Sequence, residues 1–424
     1  MPEPASRSAL IAWAFYDWAN SAFFTVIVTF VFATYFTSGI APDDVTGTAL
    51  WGWAMTASAL VVAVLSPIVG AIADADGRRK PWLLGLTAIA IVACALLWYA
   101  QAAPEFVLYT LVVVGIANVA MEMSGVFYNA MLPDLVPEGR LGRISGWAWG
   151  LGYAGGLACL FVTLFLFVQT ETPLFGLDKD TLEHVRITGP MVAVWLAVFA
   201  LPMFLITPDQ PPSGRGYGDA VRYGLGQLKA TLTDLRRFRT IGRFLLARMI
   251  YIDGLNTLFA FGGIYAAGTF GMELAEVIQF GIALNVTAGL GAFAFAWIDD
   301  WIGAKRTILI ALAGLSIAGL IAIFAPDVTT FWFAALLLGI FIGPTQAASR
   351  SMMARIAPAE MRTEMFGLYA LSGKITAFVG PFVLGTVTLW ADSQRAGMAT
   401  ILLFFLLGGA LLWGVREPAR SDHG

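Results

Sequence analysis

GAIADADGRRK (residues 70–80) closes one apolar run of the chain, and AFAWIDDWIGAKR (294–306) closes another. With Asp74 placed on Asp300, Gly77 falls on Gly303 and Arg79-Lys80 on Lys305-Arg306, an offset of 226. Two more pairs keep the same order. DWANSAF (17–23) falls on DGLNTLF (253–259) at offset 236, so both read Asp-x-x-Asn-[Ser/Thr]-x-Phe. VPEGRLGRISG (136–146) falls on APAEMRTEMFG (357–367) at offset 221, pairing Pro137 with Pro358 and Gly146 with Gly367. One such match is weak. Three, in order and at the same point of each half, argue for a duplicated unit.

The solvent of that unit follows from composition. Of 424 residues 58% are hydrophobic and 12% charged, with mean hydropathy +0.77, whereas a soluble domain is about one quarter charged. The chain reads as an all-α polytopic membrane protein. A bilayer-crossing helix needs about 20 apolar residues, and twelve segments qualify: about 9–38, 49–72, 82–101, 106–128, 143–168, 189–207, 242–268, 273–298, 307–325, 330–348, 364–390 and 397–415. The first is too long for a signal-peptide core and is interrupted by Asp17, so it reads as a retained span. The Pro/Gly-rich start of 208–241 separates six spans from six. The expected organisation is therefore a bundle over 1–207, a linker over 208–241 and a second bundle over 242–424.

Lys and Arg set the orientation. With a cytoplasmic N-terminus, 21 of the 25 fall on the cytoplasmic side. Both termini are expected there, in a bacterial inner membrane. Within the linker, Val221, Leu225, Leu228, Leu232 and Leu235 follow helical spacing among Arg222, Lys229, Arg236, Arg237 and Arg239. That is the pattern of an amphipathic helix on an anionic leaflet or of a tether between halves.

Cys94 and Cys159 lie in apolar segments and read as buried, reduced residues with no disulfide or metal role. His184 and His423 both lie outside the spans, which excludes a His-based zinc or haem centre in the membrane. No cofactor is implied.

An ionisable group inside a membrane is a functional candidate by default. Asp17 and Asp253 occupy symmetric places near the cytoplasmic ends of spans one and seven, and Asn20 and Asn256 share their helix faces at i, i+3. Two roles are open to them: helix capping with interdomain gating, or proton or cation coupling. Asp74, Gly77, Arg78, Arg79, Asp300 and Gly303 belong to the matched loops. Glycine permits the turn, the basic residues hold the interface, and the carboxylate accepts from a neighbouring helix start or pairs with an arginine. These loops read as topology anchors or as a latch that closes the cytoplasmic side. Deep polar residues are the substrate-binding candidates: Glu122 with Asn118 one turn away, Lys374, its repeat counterpart Tyr153, Asn285 and Gln346. A central charge costs about 2.5–3.5 kcal/mol on insertion scales, so Glu122 and Lys374 are expected to face the interior or to pair. An amino-acid zwitterion suits one acid and one base. Gly146, Gly150, Gly152, Gly155 and Gly156 smooth span five for close packing, and Trp13, Trp18, Trp51, Trp53 and Trp82 read as interfacial belt residues.

Gly70-x-x-x-Asp74-x-x-Gly77-Arg78-Arg79-Lys80 resembles the loop signature of the major facilitator superfamily between helices two and three, departing at Ala75, where that signature has a basic residue. YDWANSAF (16–23), YNAMLPDLVP (128–137), GWAWGLGYAGG (146–156) and QAASRSMMARIAPAEMRTEMFGLYALSGKITAFVGP (346–381) resemble its vacuole-effluxer-like branch over nearly the whole chain. The resemblance implies the major facilitator fold, with twelve transmembrane helices in two pseudo-symmetric bundles, alternating access, and export of small solutes such as amino acids.

The expected function is secondary active transport of a small polar solute. The partners are that solute, the lipid bilayer and candidate coupling protons, for a monomer without nucleic acid. Multidrug or lipid efflux and a non-transporting membrane receptor are the alternatives. No nucleophile motif, metal cluster or G-x-x-x-x-G-K-[ST] loop is present, which argues against an enzyme or a nucleotide-driven pump.

Overall fold

The computed structural model describes residues 5–233 and 238–417, and it is helical throughout. Leu235, Arg236, Arg237, Arg420 and His423 lie outside the described residues, as does the side chain of Leu232. Helices α1 (Arg7–Ile40), α2 (Asp44–Asp76), α3 (Lys80–Tyr99), α4 (Pro104–Leu135), α5 (Glu138–Val168) and α6 (Glu183–Ile206) come first. The linker helix α7 (Tyr217–Thr233) follows. After it come α8 (Arg239–Phe270), α9 (Leu274–Ile302), α10 (Ala304–Ile323) and α11 (Val328–Ile356). The chain closes with α12 (Arg362–Ser372), α13 (Val379–Ala391) and α14 (Gln394–Trp413).

Eleven helices among the described residues are long and apolar enough to cross a membrane. The twelfth expected span, 364–390, is not one helix. It is divided into α12 and the 13-residue α13 by a turn over 373–378. Apolar composition marked one continuous segment; it carried no signal for the break.

Helix ends follow local chemistry. Gly77 and Gly303 both sit at φ +93°, open to glycine and strained for other residues. Pro81 stands in the first turn of α3, where a missing N–H costs nothing. Asp327 caps α11 by accepting from Thr330 N at 2.8 Å, and those N–H bonds hold its carboxyl below the ordinary carboxylate range. In α1 the backbone widens to a π-helix over Phe23–Phe30, beginning on the last residue of the DWANSAF motif.

The chain forms two compact units. Unit 1 holds the chain up to Leu65, Asp76–Met131 and Leu151–Gly214. Unit 2 holds Ser66–Ala75, Leu132–Gly150 and the chain from Arg215 on. In unit 1, Gly155 of α5 lies against the backbone of Trp18, where an added Cβ would come 2.7 Å from Cα. Trp13 is fully buried there, stacked on Tyr128 at 4.4 Å between centroids and donating to the Tyr128 carbonyl at 3.1 Å. It is a core residue, not a belt residue; Trp53, 70% exposed, fits the belt.

In unit 2 the linker helix packs by a different face from the one its leucines suggest. Ala220, Gly224, Leu228 and Thr231 are buried, and Leu225 is exposed. Gly224 allows the contact: a Cβ there would come 2.8 Å from the Ala71 carbonyl carbon and 2.9 Å from Ile72 Cα. Backbone against backbone was the stronger constraint, and glycine and alanine carry little hydropathy to announce it.

Candidate functional site

Two assemblies of unit 2 gather the candidate residues. The first lies at the basic end of the helices. Asp74, near the end of α2, accepts from Thr363 N at 3.0 Å and Glu364 N at 2.8 Å, the second and third residues of α12. A carboxylate at a helix start meets the free N–H groups and the positive end of the helix dipole together. Asp300, near the end of α9, does the same for α5, accepting from Gly142 N at 2.9 Å, with Arg143 Nε 3.4 Å from its other oxygen. Gly142 and Thr363 are separated by 221 residues, the offset already found between the paired segments. The two matched loops therefore perform one operation twice.

Glycines let the backbones close. A Cβ on Gly70 would come 2.9 Å from the Thr363 carbonyl carbon, and one on Gly367 would come 2.7 Å from Pro67 Cα. Ion pairs surround the contacts. Arg362 pairs with Asp134. Arg355 donates to Asp299 at 2.9 Å and lies 3.8 Å from both Asp300 and Glu417. The Ser351 hydroxyl donates to Asp299. Arg350, 2% exposed, donates to the Ser145 hydroxyl at 2.9 Å and the Ser145 carbonyl at 2.7 Å. Each of these bonds joins segments more than fifty residues apart in the chain.

A second repeated device anchors the basic loops. In unit 1 Asp209 accepts from Arg79 N and Lys80 N, both at 3.0 Å, and Lys80 Nζ donates to the Thr207 carbonyl at 2.6 Å. In unit 2 Glu417 accepts from Ala304 N at 2.9 Å and Lys305 N at 3.1 Å, and Lys305 Nζ donates to the Trp413 carbonyl at 2.7 Å. Sequence reading missed Asp209 and Glu417. Both follow the last span of their half, and that position was the available signal. Arg78 pairs with Asp76 at 3.5 Å near the surface, while Arg79 is buried.

The second assembly is the break between α12 and α13. Breaking a helix inside a membrane frees carbonyls on one side and N–H groups on the other, and both need partners. One face of α8 supplies them. Arg248 Nη1 donates to the Tyr369 carbonyl at 2.7 Å and the Ser372 hydroxyl at 2.8 Å, and its guanidinium lies 3.4 Å from the centroid of the Tyr369 ring. Asp253, 2% exposed, accepts from Gly380 N at 3.0 Å through Oδ2. Asn256 Nδ2 approaches the Gly373 carbonyl at 3.5 Å. A cation thus faces the C-terminal end of α12 and an anion the N-terminal start of α13, each matched to its helix dipole. Lys374 lies within the turn, so Asp253, Asn256 and Lys374 are brought into one neighbourhood.

The remaining candidates are placed as follows. Glu122 belongs to unit 1 and Lys374 to unit 2, each partly buried. Asn118 is buried and donates to Ser58 Oγ at 2.7 Å, which makes it a tie between α4 and α2. Asn285 donates to its own helix at Gly281 O, 2.8 Å. Asp17, Asn20, Tyr153 and Gln346 are partly buried. Gly152, beside Tyr153, would place a Cβ 2.8 Å from Ser21 Oγ and 3.5 Å from Asp17 Cβ, so the α1 motif lies against α5 within unit 1.

The sequence matches a known family. The model for "Vacuole effluxer Atg22 like" proteins covers residues 44–143 and 138–421. The chain belongs to that family. An MFS-type transporter of Bacillus subtilis, YxiO, is 26% identical over 416 residues, covering 97% of this chain and 95% of that one. Autophagy-related protein 22 of Candida glabrata is 26% identical over 302 residues, covering 64% of this chain and about half (54%) of that longer protein. Among solved structures, the transporter FucP in an outward conformation aligns over 97% of this chain and 99% of its own, with TM-score 0.76 and 16% identity. The proton:xylose symporter XylE aligns over 97% and 96%, with TM-score 0.74 and 13% identity. The fold is that of the major facilitator superfamily, and this family member is a membrane transporter.

Proposed function

We propose that this chain is a secondary active transporter that exports a small polar solute, an amino acid or similar, by alternating access across the bacterial inner membrane, with both termini cytoplasmic. The clasp at the basic end of unit 2 carries the reading. Asp74 caps α12 and Asp300 caps α5 through the same register, and glycines bring the backbones together without interlocking side chains. Such a contact seals one side of a transporter and separates without unfolding either helix. Efflux is supported by the family's vacuole effluxers.

Glu122 and Lys374 supply one acid and one base for a zwitterion, and Asn285, Gln346 and Tyr153 supply polar faces. Asp253 is the proposed proton-coupling group. It holds the start of α13 through one oxygen, and the other, Oδ1, is buried without a hydrogen-bond partner. Protonation relieves that buried charge and weakens the hold on α13, so proton uptake and movement of span eleven are coupled. Asp17 occupies the corresponding place in the first half. The protein acts as a monomer in the bilayer.

The test is exchange of labelled amino acids in proteoliposomes, with and without an imposed pH gradient, for the wild type, Glu122→Gln, Lys374→Met and Asp253→Asn. Saturable exchange lost in the first two variants, and gradient dependence lost in the third, is expected. Exchange that is unaffected in both Glu122→Gln and Lys374→Met contradicts the charged central site. Failure of a folded wild type to exchange any amino acid contradicts the substrate class.

A further inference from the structure

Glu364 lies within the clasp, and its carboxyl has no part in the alternating-access reading. It is fully buried in the first turn of α12, and both carboxyl oxygens are buried with no hydrogen-bond partner. Its own N–H is held by the Asp74 carboxylate, so a second acid lies beside it. Thr231 approaches from the linker helix, but its hydroxyl already donates to the Gln227 carbonyl at 3.1 Å.

The cations on the packed elements are turned to other work. Arg362 on the same helix pairs with Asp134. Arg248 of α8 binds Tyr369 and Ser372. Arg350 and Arg355 of α11 bind Ser145 and Asp299. Arg222 and Lys229 of the linker helix are exposed. Backbone contacts at Gly70, Gly367 and Gly224 close the surroundings.

An ionised carboxylate in that place has lost its water and gained no donor, and it faces a second carboxylate. Both effects favour the neutral form. Asp74 is anchored in its ionised form by two N–H groups and a helix dipole, so the proton resides on Glu364. Opening the clasp exposes Glu364 to water, where the ionised form is favoured near neutral pH.

We infer that Glu364 is a proton-binding site that gates the clasp: one proton is bound when it closes and released when it opens. This rests on reading the clasp as the transporter's gate, and it is distinct from coupling at Asp253. The sign follows directly. The closed form binds more protons, so it gains stability as pH falls and loses it as pH rises.

Backbone hydrogen exchange over 362–372, measured on the full chain in nanodiscs and corrected for the intrinsic effect of pH, tests this. In the wild type, exchange at about pH 8 is expected to be about tenfold or more faster than at about pH 5.5, since each pKa unit between the two states is a tenfold change in the equilibrium. Glu364→Gln, neutral at every pH, is expected to stay slow at both. Asp74→Asn keeps an acceptor for α12 but removes the facing charge, so ionised Glu364 is less disfavoured in the closed form and the ratio of the two rates is expected to shrink. A wild-type rate that does not change with pH, a Gln variant with the wild-type pH response, or an Asn variant with the full wild-type ratio overturns the inference. Exchange that responds as described in a protein that transports nothing leaves the proton gate standing and removes the transport reading.

Discussion

Asp74→Ala removes both acceptors of the α12 start and leaves Thr363 N and Glu364 N without partners in the closed clasp. Hydrogen bonds to a charged group contribute about 1.5–3 kcal/mol each, so the gross loss is about 3–6 kcal/mol. Asp74 is partly exposed, and water reaches both N–H groups once the clasp opens. Discounting for that leaves about 2–3 kcal/mol against the closed form, a shift of roughly 30- to 150-fold toward the open one.

Ser66 is a suitable reporter. It is 1% exposed, its hydroxyl makes no hydrogen bond, and it lies where α2 meets Gly367. Ser66→Cys is therefore a near-neutral change, and Cys94 and Cys159, both buried, are replaced by alanine to remove background. The rate of maleimide labelling at position 66 follows the open population when opening is fast relative to labelling. It is expected to rise roughly 30- to 150-fold in Asp74→Ala and by less in Asp74→Asn, which keeps one acceptor. An unchanged rate in Asp74→Ala refutes the claim that these two bonds hold the clasp.

Steric opening should act in the same direction: Gly367→Ala forces a Cβ against Pro67 Cα, and overpacking of about 1–3 kcal/mol is expected to raise Ser66→Cys labelling by roughly 5- to 150-fold. Gly224→Leu displaces the linker helix from Ala71 and Ile72, and limited proteolysis is expected to cut the linker several times faster with the bundles intact, a result that unchanged cleavage would contradict. Asp209→Asn and Glu417→Gln weaken equivalent caps in the two units, so each is expected to cost about 1–2 kcal/mol, with additive shifts in thermal midpoint; one silent and one large effect would end the claim of equivalence. Arg350→Met removes two charged donors from Ser145, whose hydroxyl keeps its bond to the Ala347 carbonyl, and a loss of about 2–4 kcal/mol in thermal unfolding is expected, whereas an unchanged midpoint would show that the buried guanidinium adds nothing.

The repeat was legible because its physics is local. Both turns use a glycine at φ +93° followed by basic residues, so GAIADADGRRK and AFAWIDDWIGAKR keep visible likeness. A carboxylate beside such a turn reads as a cap from spacing alone. The helix it caps is hundreds of residues away, and no single sequence states that Asp74 meets Glu364. Hydropathy likewise found the eleven helices long and apolar enough to cross a membrane among the described residues and missed the break at 373–378, because the groups that permit it, Arg248 and Asp253, sit on another helix. Trp13 read as an interfacial residue, yet its N–H finds the Tyr128 carbonyl and its ring finds Tyr128, so tertiary packing outweighed the usual preference for the membrane surface. Nothing in the sequence singles out Glu364; its meaning lies in carboxyl oxygens that are buried without a hydrogen-bond partner, a property only three dimensions reveal.

Counterflow tests the central claim most directly. Proteoliposomes are loaded with an unlabelled amino acid and diluted into a trace of the labelled form, across a panel of side-chain classes. An alternating-access carrier is expected to give a transient overshoot of label above equilibrium for at least one class, abolished by Lys374→Met. Label that only relaxes to equilibrium, or that never enters through verified folded protein for any class, would contradict the account of this chain as an amino-acid carrier.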